Sequence, residues 1–355
     1  MGNRFVSCGF RVGLICATVA LGPLRGTAGA QLDATTPPSC SPDGPLVKVA
    51  DLPEASGLAM SRRVPGRLWA HNDSGEPILY ALDTKGVVTG RLRLIGAEVE
   101  DWEAVAVGPC PAGACIHVAD IGDNDAERTR VTVYRVAEPS GAAGSALPSE
   151  RFHATYPDGP HDAESLLISP DGRLHVVTKG DPGPVAIYRF PAELRPGTTA
   201  QLERVGRPRD SRQQAADRIT DGAVSPDGAW VALRTKHALL LYASGELLAG
   251  RWPEPRRVDL KSLGEPQGEG VAFGADGTIY VAGEGGGKSR PGTFGRLRCT
   301  TAAPVDAHYR STPRLDCACG PVAHLPGRWP GASPRPGSPP AGPAIGAKGS
   351  TPRAG

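Results

Sequence analysis

Five stretches of this chain read alike, and that recurrence limits the fold more than any other feature. They are "EASGLAMSRRVPGRLWAHND" from Glu54, "DWEAVAVGPCPAGACIHVADIGD" from Asp101, "DAESLLISPDGRLHVVTKGD" from Asp162, "ITDGAVSPDGAWVALRTKH" from Ile219 and "QGEGVAFGADGTIYVAGEG" from Gln267. Each has a polar or acidic start, a short apolar run, a tight turn, a second apolar run and a polar end. With Ser56, Glu103, Glu164, Thr220 and Glu269 taken as equivalent, the spacings are 47, 61, 56 and 49 residues. Repeats of roughly 40–50 residues holding four strands each are β-propeller blades.

The remaining strands follow each pair. Third strands read "PILYALD", "VTVYRVA", "VAIYRFP" and "ALLLYAS", and outer strands read "GRLRLIG", "RFHATY", "QLERVG" and "RRVDLKS". The last repeat has a third strand near "TFGRLRC" and no clear fourth, while "PLVKVADLPEASG" matches an outer strand with no blade before it. Leu46 to Ala50 is therefore expected to complete the last blade and close the ring, which removes exposed sheet edges. The sequence predicts an all-β propeller of five four-stranded blades over residues 46–300. The count becomes six if two units are merged within 103–219, and a β-sandwich is the competing fold.

The ends differ in kind. Arg4 and Arg11, the apolar "VGLICATVALG" and a small-residue site at Ala28-Gly29-Ala30 predict a signal peptide over residues 1–30. The apolar run is about half the ~20 residues of a membrane helix, so no transmembrane span is expected. A linker is expected at 31–45, a cysteine-containing extension at 301–320 and a disordered Pro/Gly-rich tail at 321–355. The expected protein is exported, periplasmic or extracellular, and monomeric.

Charge bears on partners. The chain has 39 basic and 37 acidic residues, but three of the basic ones lie in 1–30, four lie in 321–355, and neither end has an acid. Residues 31–320 thus carry 32 basic against 37 acidic groups, net −5. A mildly acidic body argues against a nucleic-acid partner. Six cysteines follow the signal segment, and an even count in an exported chain predicts disulfides. Cys110 and Cys115 close a short loop and are expected to pair. Cys40 and Cys299 flank the predicted ring seam and are the preferred second pair, with Cys317 and Cys319 left over.

Antiparallel connectivity sorts the charges by face. The turns "SPDG" at Ser169 and Ser225 and "GADG" at Gly274 fall on one face, and their Asp171, Asp227 and Asp276 are turn residues. Loops leading into the first strands bring Glu54, Asp101, Glu103, Asp162, Glu164, Asp221 and Glu269 to the other face. Exits from the second strands add Asp73, Asp123, Lys179, Arg234 and Glu284. Carboxylates crowded at one axial mouth repel, so they either keep protons or recruit cations. Lys179 and Arg234 offset part of that charge, and Ca²⁺ would offset the rest through several carboxylate oxygens. Candidate metal ligands are Asp73, Asp101, Glu103, Asp123, Asp162, Glu164, Glu269 and Glu284. Candidate catalytic groups are Glu164, Glu269, Lys179 and Arg234. His71 and His161 lie on the same face, and Trp102 is the candidate stacking platform.

The motifs "EASGLA", "HNDSG", "DWEAVAVG", "DIGDN", "YPDGPHDAESLLI", "SPDG" and "QGEGVAF" resemble exported bacterial propeller proteins of the esterase-like-phytase and SdiA-regulated groups. More distantly they resemble β-propeller phytases. The resemblance spans about residues 50–285. It implies six blades, and it implies calcium held by acidic side chains, with Glu103, Glu164 and Glu269 as metal- or water-positioning residues. It suggests a metal-dependent phosphoester hydrolase with Glu164 or Glu269 as general base. The chain departs from that pattern in its few basic groups at the mouth. The alternatives are a non-catalytic propeller binding a small molecule or a protein, and a glycoside hydrolase using paired carboxylates.

Overall fold

A computed structural model describes residues 39–141, 145–181, 183–207, 218–287 and 289–300. The chain divides into two units, Met1–Ala307 and His308–Gly355. The expected signal peptide, the expected C-terminal extension with Cys317 and Cys319, and the expected tail lie outside the described residues, as does most of the expected linker.

The regular secondary structure of the described residues is almost entirely strand. It opens with β1 (Ser39–Pro42) and β2 (Val47–Val49). Blade 1 follows as β3 (Ala55–Met60), β4 (Arg67–Asn72), β5 (Ile78–Asp83) and β6 (Val88–Ile95). Blade 2 holds β7 (Trp102–Cys110), β8 (Gly113–Asp120), β9 (Val131–Ala137) and, beyond β10 (Ser145–Pro148), β11 (Glu150–Thr155). Blade 3 holds β12 (Ala163–Ile168), β13 (Leu174–Thr178), β14 (Ile187–Arg189) and, beyond β15 (Thr199–Gln201), β16 (Glu203–Gly206). Blade 4 is β17 (Ile219–Val224), β18 (Trp230–Thr235), β19 (Ala238–Ala243) and β20 (Arg256–Asp259). Blade 5 is β21 (Gln267–Phe273), β22 (Thr278–Glu284) and β23 (Gly292–Thr300).

The chain is a five-bladed β-propeller. Its innermost strands contact one another in a closed cycle, β3 to β7 to β12 to β17 to β21 and back to β3. The final blade has no fourth strand of its own. β2 pairs antiparallel with β23, Val47 opposite Phe294, and β1 extends that edge with Cys40 opposite Cys299. The Cys40–Cys299 disulfide locks the seam, and Cys110–Cys115 closes the β7–β8 hairpin. The long spacings that had allowed a sixth blade have a local cause. β10 leaves blade 2 to pair parallel with β6 of blade 1, and β15 leaves blade 3 to pair parallel with β11 of blade 2. These extra edge strands lengthen two connections without adding a blade.

The core is divided among the blade interfaces. Five apolar clusters each join two successive blades, as where Trp69 and Leu92 of blade 1 meet Trp102 and Val118 of blade 2. The turns opposite the mouth form as their letters require. Gly172 and Gly228 take φ of +84° and +72°, and their N–H groups donate to the Ser169 and Ser225 carbonyls at 2.8 Å. The Ser169 and Ser225 hydroxyls donate to Asp171 and Asp227, each at 2.5 Å. Those aspartates belong to turns, and the serine bond holds the Asp171 carboxyl below its usual pKa.

Candidate active site

Every innermost strand breaks register near its start. The shifts fall between Ala55 and Leu58, Trp102 and Ala104, Ala163 and Ser165, Ile219 and Asp221, and Gly268 and Val271. The residues left out of register are Ser56 with Gly57, Glu103, Glu164, Thr220, and Glu269 with Gly270, and they include the five positions equivalent by sequence. A β-bulge leaves its extra residue unpaired and re-aims its side chain. All five line one axial cavity of about 700 Å³. The equivalence extends to bonding: the Ser56 hydroxyl donates to the Glu103 carbonyl at 3.0 Å and the Thr220 hydroxyl to the Glu269 carbonyl at 3.3 Å, each reaching the next blade. Glycine makes this waist possible, since a Cβ at Gly57 would lie 2.5 Å from the Val105 nitrogen.

The carboxylates form a graded cluster. Glu103 and Glu164 are near neighbours in the cavity wall, each acting on the other's titration. Two buried carboxyls this close repel when both are ionised, which favours a proton on one of them. Burial, then the nearby charges of Glu164 and Asp101, push the Glu103 carboxyl well above its ordinary pKa. Burial raises Glu164 to about 7, against the Lys179 ammonium, which pulls it down. Burial and the Glu164 charge raise Glu269 well above its usual range. Asp101 is raised by burial and by Asp162. It sits close to Glu103 because Gly122 lies beside both: a Cβ there would come within 2.3 Å of Asp101 Oδ2 and 2.6 Å of Glu103 Oε1. The Ser56 hydroxyl donates to Glu103 Oε2 at 2.9 Å and orients the pair.

Lys179 is the cation inside this cluster. Its Nζ ion-pairs with Glu164, lies 3.1 Å from Asp162 Oδ2, and donates to Asn124 Oδ1 at 3.1 Å. Burial alone would lower its pKa, and the two carboxylates outweigh that and raise it. Asp162 also accepts the Asp123 N–H at 2.8 Å. Asp123 caps its own loop, accepting the N–H groups of Glu127 and Arg128 at 2.9 and 3.0 Å. Asp73 and Glu284 line the cavity rim.

Other expected site residues lie elsewhere. Arg234 is fully buried, with its guanidinium bonded to Glu265 at 2.5 Å and to the Gly270 and Ala282 carbonyls. It braces blades 4 and 5 and is not among the cavity-lining residues. Trp102 is fully buried and donates to the Glu98 carbonyl at 2.8 Å, so it offers no stacking platform. His71 is buried, and burial lowers its pKa to about 4. His161 bonds Tyr188 and Asp158 away from the cavity.

The sequence reading missed a basic arc. Arg218, Lys236, Arg257 and Lys261 line the same cavity, with His237 between them. All five come from blade 4 or the segments flanking it. Lys236 and His237 follow β18 as Lys179 follows β13, a signal present in "RTKH" beside "TKGD". Arg257 and Lys261 come from an outer strand and the turn after it, where no repeat pattern marks a rim position. The mouth is therefore mixed in charge, with acids and Lys179 on blades 1 to 3, Glu269 and Glu284 on blade 5, and cations on blade 4.

Calcium takes six to eight oxygen ligands. Among the described residues no three Asp, Glu, His or Cys side chains are grouped to hold a metal ion. The Lys179 ammonium stands between Asp162 and Glu164, and burial disfavours full ionisation of Glu103 and Glu164. The donors as arranged do not fit a calcium cage.

The fold and site define a five-bladed propeller with a charged axial mouth. No family model and no curated protein matches the chain. Among solved structures it is similar to the PQQ-bound aldose sugar dehydrogenase of Streptomyces coelicolor, with a TM-score of 0.44 and 12% identity over 74% of this chain and 100% of that one. It is also similar to a gluconolactonase of Xanthomonas campestris, with a TM-score of 0.39 and 14% identity over 74% of this chain and 95% of that one. A third is the calcium-binding protein regucalcin of Agrobacterium tumefaciens, with a TM-score of 0.36 and 14% identity over 71% of this chain and 93% of that one. Alignments this loose carry no argument about chemistry, and the fold rests on the strand pairing itself. Among the described residues no helix is long and apolar enough to cross a membrane.

Proposed function

We propose that the mouth is a hydrolytic site for a small phosphorylated molecule, with Glu103 and Glu164 as its acid–base pair. The observation behind this reading is the buried pair Glu103 and Glu164 at an open cavity, with Glu164 raised to about 7 and Glu103 raised well above its usual range; on this reading the pair shares one proton. A general acid–base group works best with a pKa near the working pH. The basic arc of blade 4 faces the same cavity and suits an anionic group. In one turnover, water attacks phosphorus and forms the new P–O bond while the bond to the leaving oxygen breaks. The protonated carboxyl of the pair gives its proton to that oxygen, and the other carboxylate takes one from the water. The pair ends with one proton, as it began. Lys179 keeps the pair and Asp162 together.

The protein would act outside the cytoplasm, as the two disulfides and the N-terminal segment suggest. The test is turnover of p-nitrophenyl phosphate and a panel of natural phosphoesters by the full mature chain. Turnover abolished by Glu164→Gln supports the reading, and no turnover of any phosphoester removes it. A second reading, binding without catalysis, draws on the internal neutralisation of Glu164 and Asp162 by Lys179. It expects saturable binding and ligand-induced stabilisation without product. Calcium would compete for the same carboxylates: activity that survives a chelator favours the shared proton, and activity lost with it favours the metal.

A further inference from the structure

The opposite end of the axis carries a second cavity that the proposed chemistry does not use. It has a volume of about 260 Å³ and is lined by residues of all five blades beyond their bulges. Leu58, Val105 and Leu166 are buried within it, while Met60, Val107 and Val224 are only half-buried. Of its lining residues, Arg62 alone is charged, and no acid lines it. Arg62 is exposed, and among the described residues its guanidinium makes no ion pair; only its backbone N–H is bonded, to Glu138 at 3.1 Å. Apolar side chains left open to water in a concave, enclosed setting mark binding sites. An apolar cavity of about 150 Å³ takes benzene, so this one suits a somewhat larger ring system or a medium alkyl chain.

We infer that this far-face cavity binds a small amphiphile, an apolar body bearing one anionic group, with the body inside the ring and the anion on Arg62. The apolar wall supplies the affinity through buried area, and the single uncompensated cation selects the sign of the head group. The site stands independently of the chemistry at the mouth, since neither cavity shares a lining residue with the other.

Three probes with one chain test the assignment: octanoate, octanol and octyltrimethylammonium, titrated calorimetrically into the full mature protein. Octanoate is expected to bind one-to-one and at least about tenfold tighter than the cation. Arg62→Glu, a change at an exposed residue, is expected to reverse that order. Val224→Asp, which places a carboxylate in the cavity wall, is expected to weaken octanoate by about tenfold or more, with an unchanged circular dichroism spectrum confirming the fold. No saturable binding by any probe overturns the inference. Equal binding of all three, unaltered by Arg62→Glu, also overturns it. So does a concentration-dependent dimer dissociated by Val224→Asp, because it would give the cavity to a second copy of this chain.

Discussion

The two ends of the propeller axis are made by the same five strands yet have opposite character. At the bulges the strands turn Ser56, Glu103, Glu164, Thr220 and Glu269 toward the mouth cavity. Below them the same strands present Leu58, Val105, Leu166 and Phe273. One extra residue per strand separates a charged mouth from an apolar well. The bulge is thus the device that lets one repeat serve two surfaces, because it resets which residues face the axis.

The sharpest test of this division is Glu164→Gln. It is expected to lower phosphoester turnover by about 10²–10⁴-fold while leaving octanoate binding at the far end unchanged, as paired kinetics and calorimetry would show. Loss of both would mean the two ends are one site.

Opening the seam probes what both ends share. Cys40→Ser with Cys299→Ser removes a bridge spanning 259 residues of sequence. It is expected to cost about 2–5 kcal/mol in denaturant unfolding and to loosen both cavities together. The waist between them should be nearly as sensitive. Gly57→Ala would drive a methyl group against the Val105 nitrogen and is expected to cost about 1–3 kcal/mol.

The mouth should also respond to pH where the far end does not. The raised pKa of Glu164 means the folded state keeps its proton longer than the unfolded chain does. The Glu164 contribution to stability therefore falls as pH climbs from the ordinary glutamate range toward about 7, and levels off above it. Melting curves across that window should show the fall in the wild type and a shallower one in Glu164→Gln. The smallest effect is expected for Ser56→Ala, which removes the hydroxyl bonds to Glu103 and should cost about 1 kcal/mol.

Much of the division was legible in the sequence. The repeat fixed the blades, the alignment of Ser56, Glu103, Glu164, Thr220 and Glu269 picked out the bulged residues, and the unmatched run at Leu46 identified the seam. The bulges themselves were invisible, since one extra residue in an apolar run leaves no distinct letter. Arg234 was misplaced because a strand exit shows position along the strand but not side-chain direction, and the guanidinium turns inward to Glu265. The basic arc escaped notice because Arg257 and Lys261 reach the rim from an outer strand and its following turn.

The central claim is that the bulges bring Glu103 and Glu164 together around one proton. Carboxyl-carbon NMR of glutamate-labelled protein, followed across pH, tests it most directly. The account predicts a carboxyl titrating with a midpoint near 7 that disappears in Glu164→Gln, with Glu103 and Glu269 titrating above the ordinary glutamate range. If every glutamate carboxyl finishes titrating with midpoints in the ordinary range of about 4–5, the pair does not share a proton and the account is wrong.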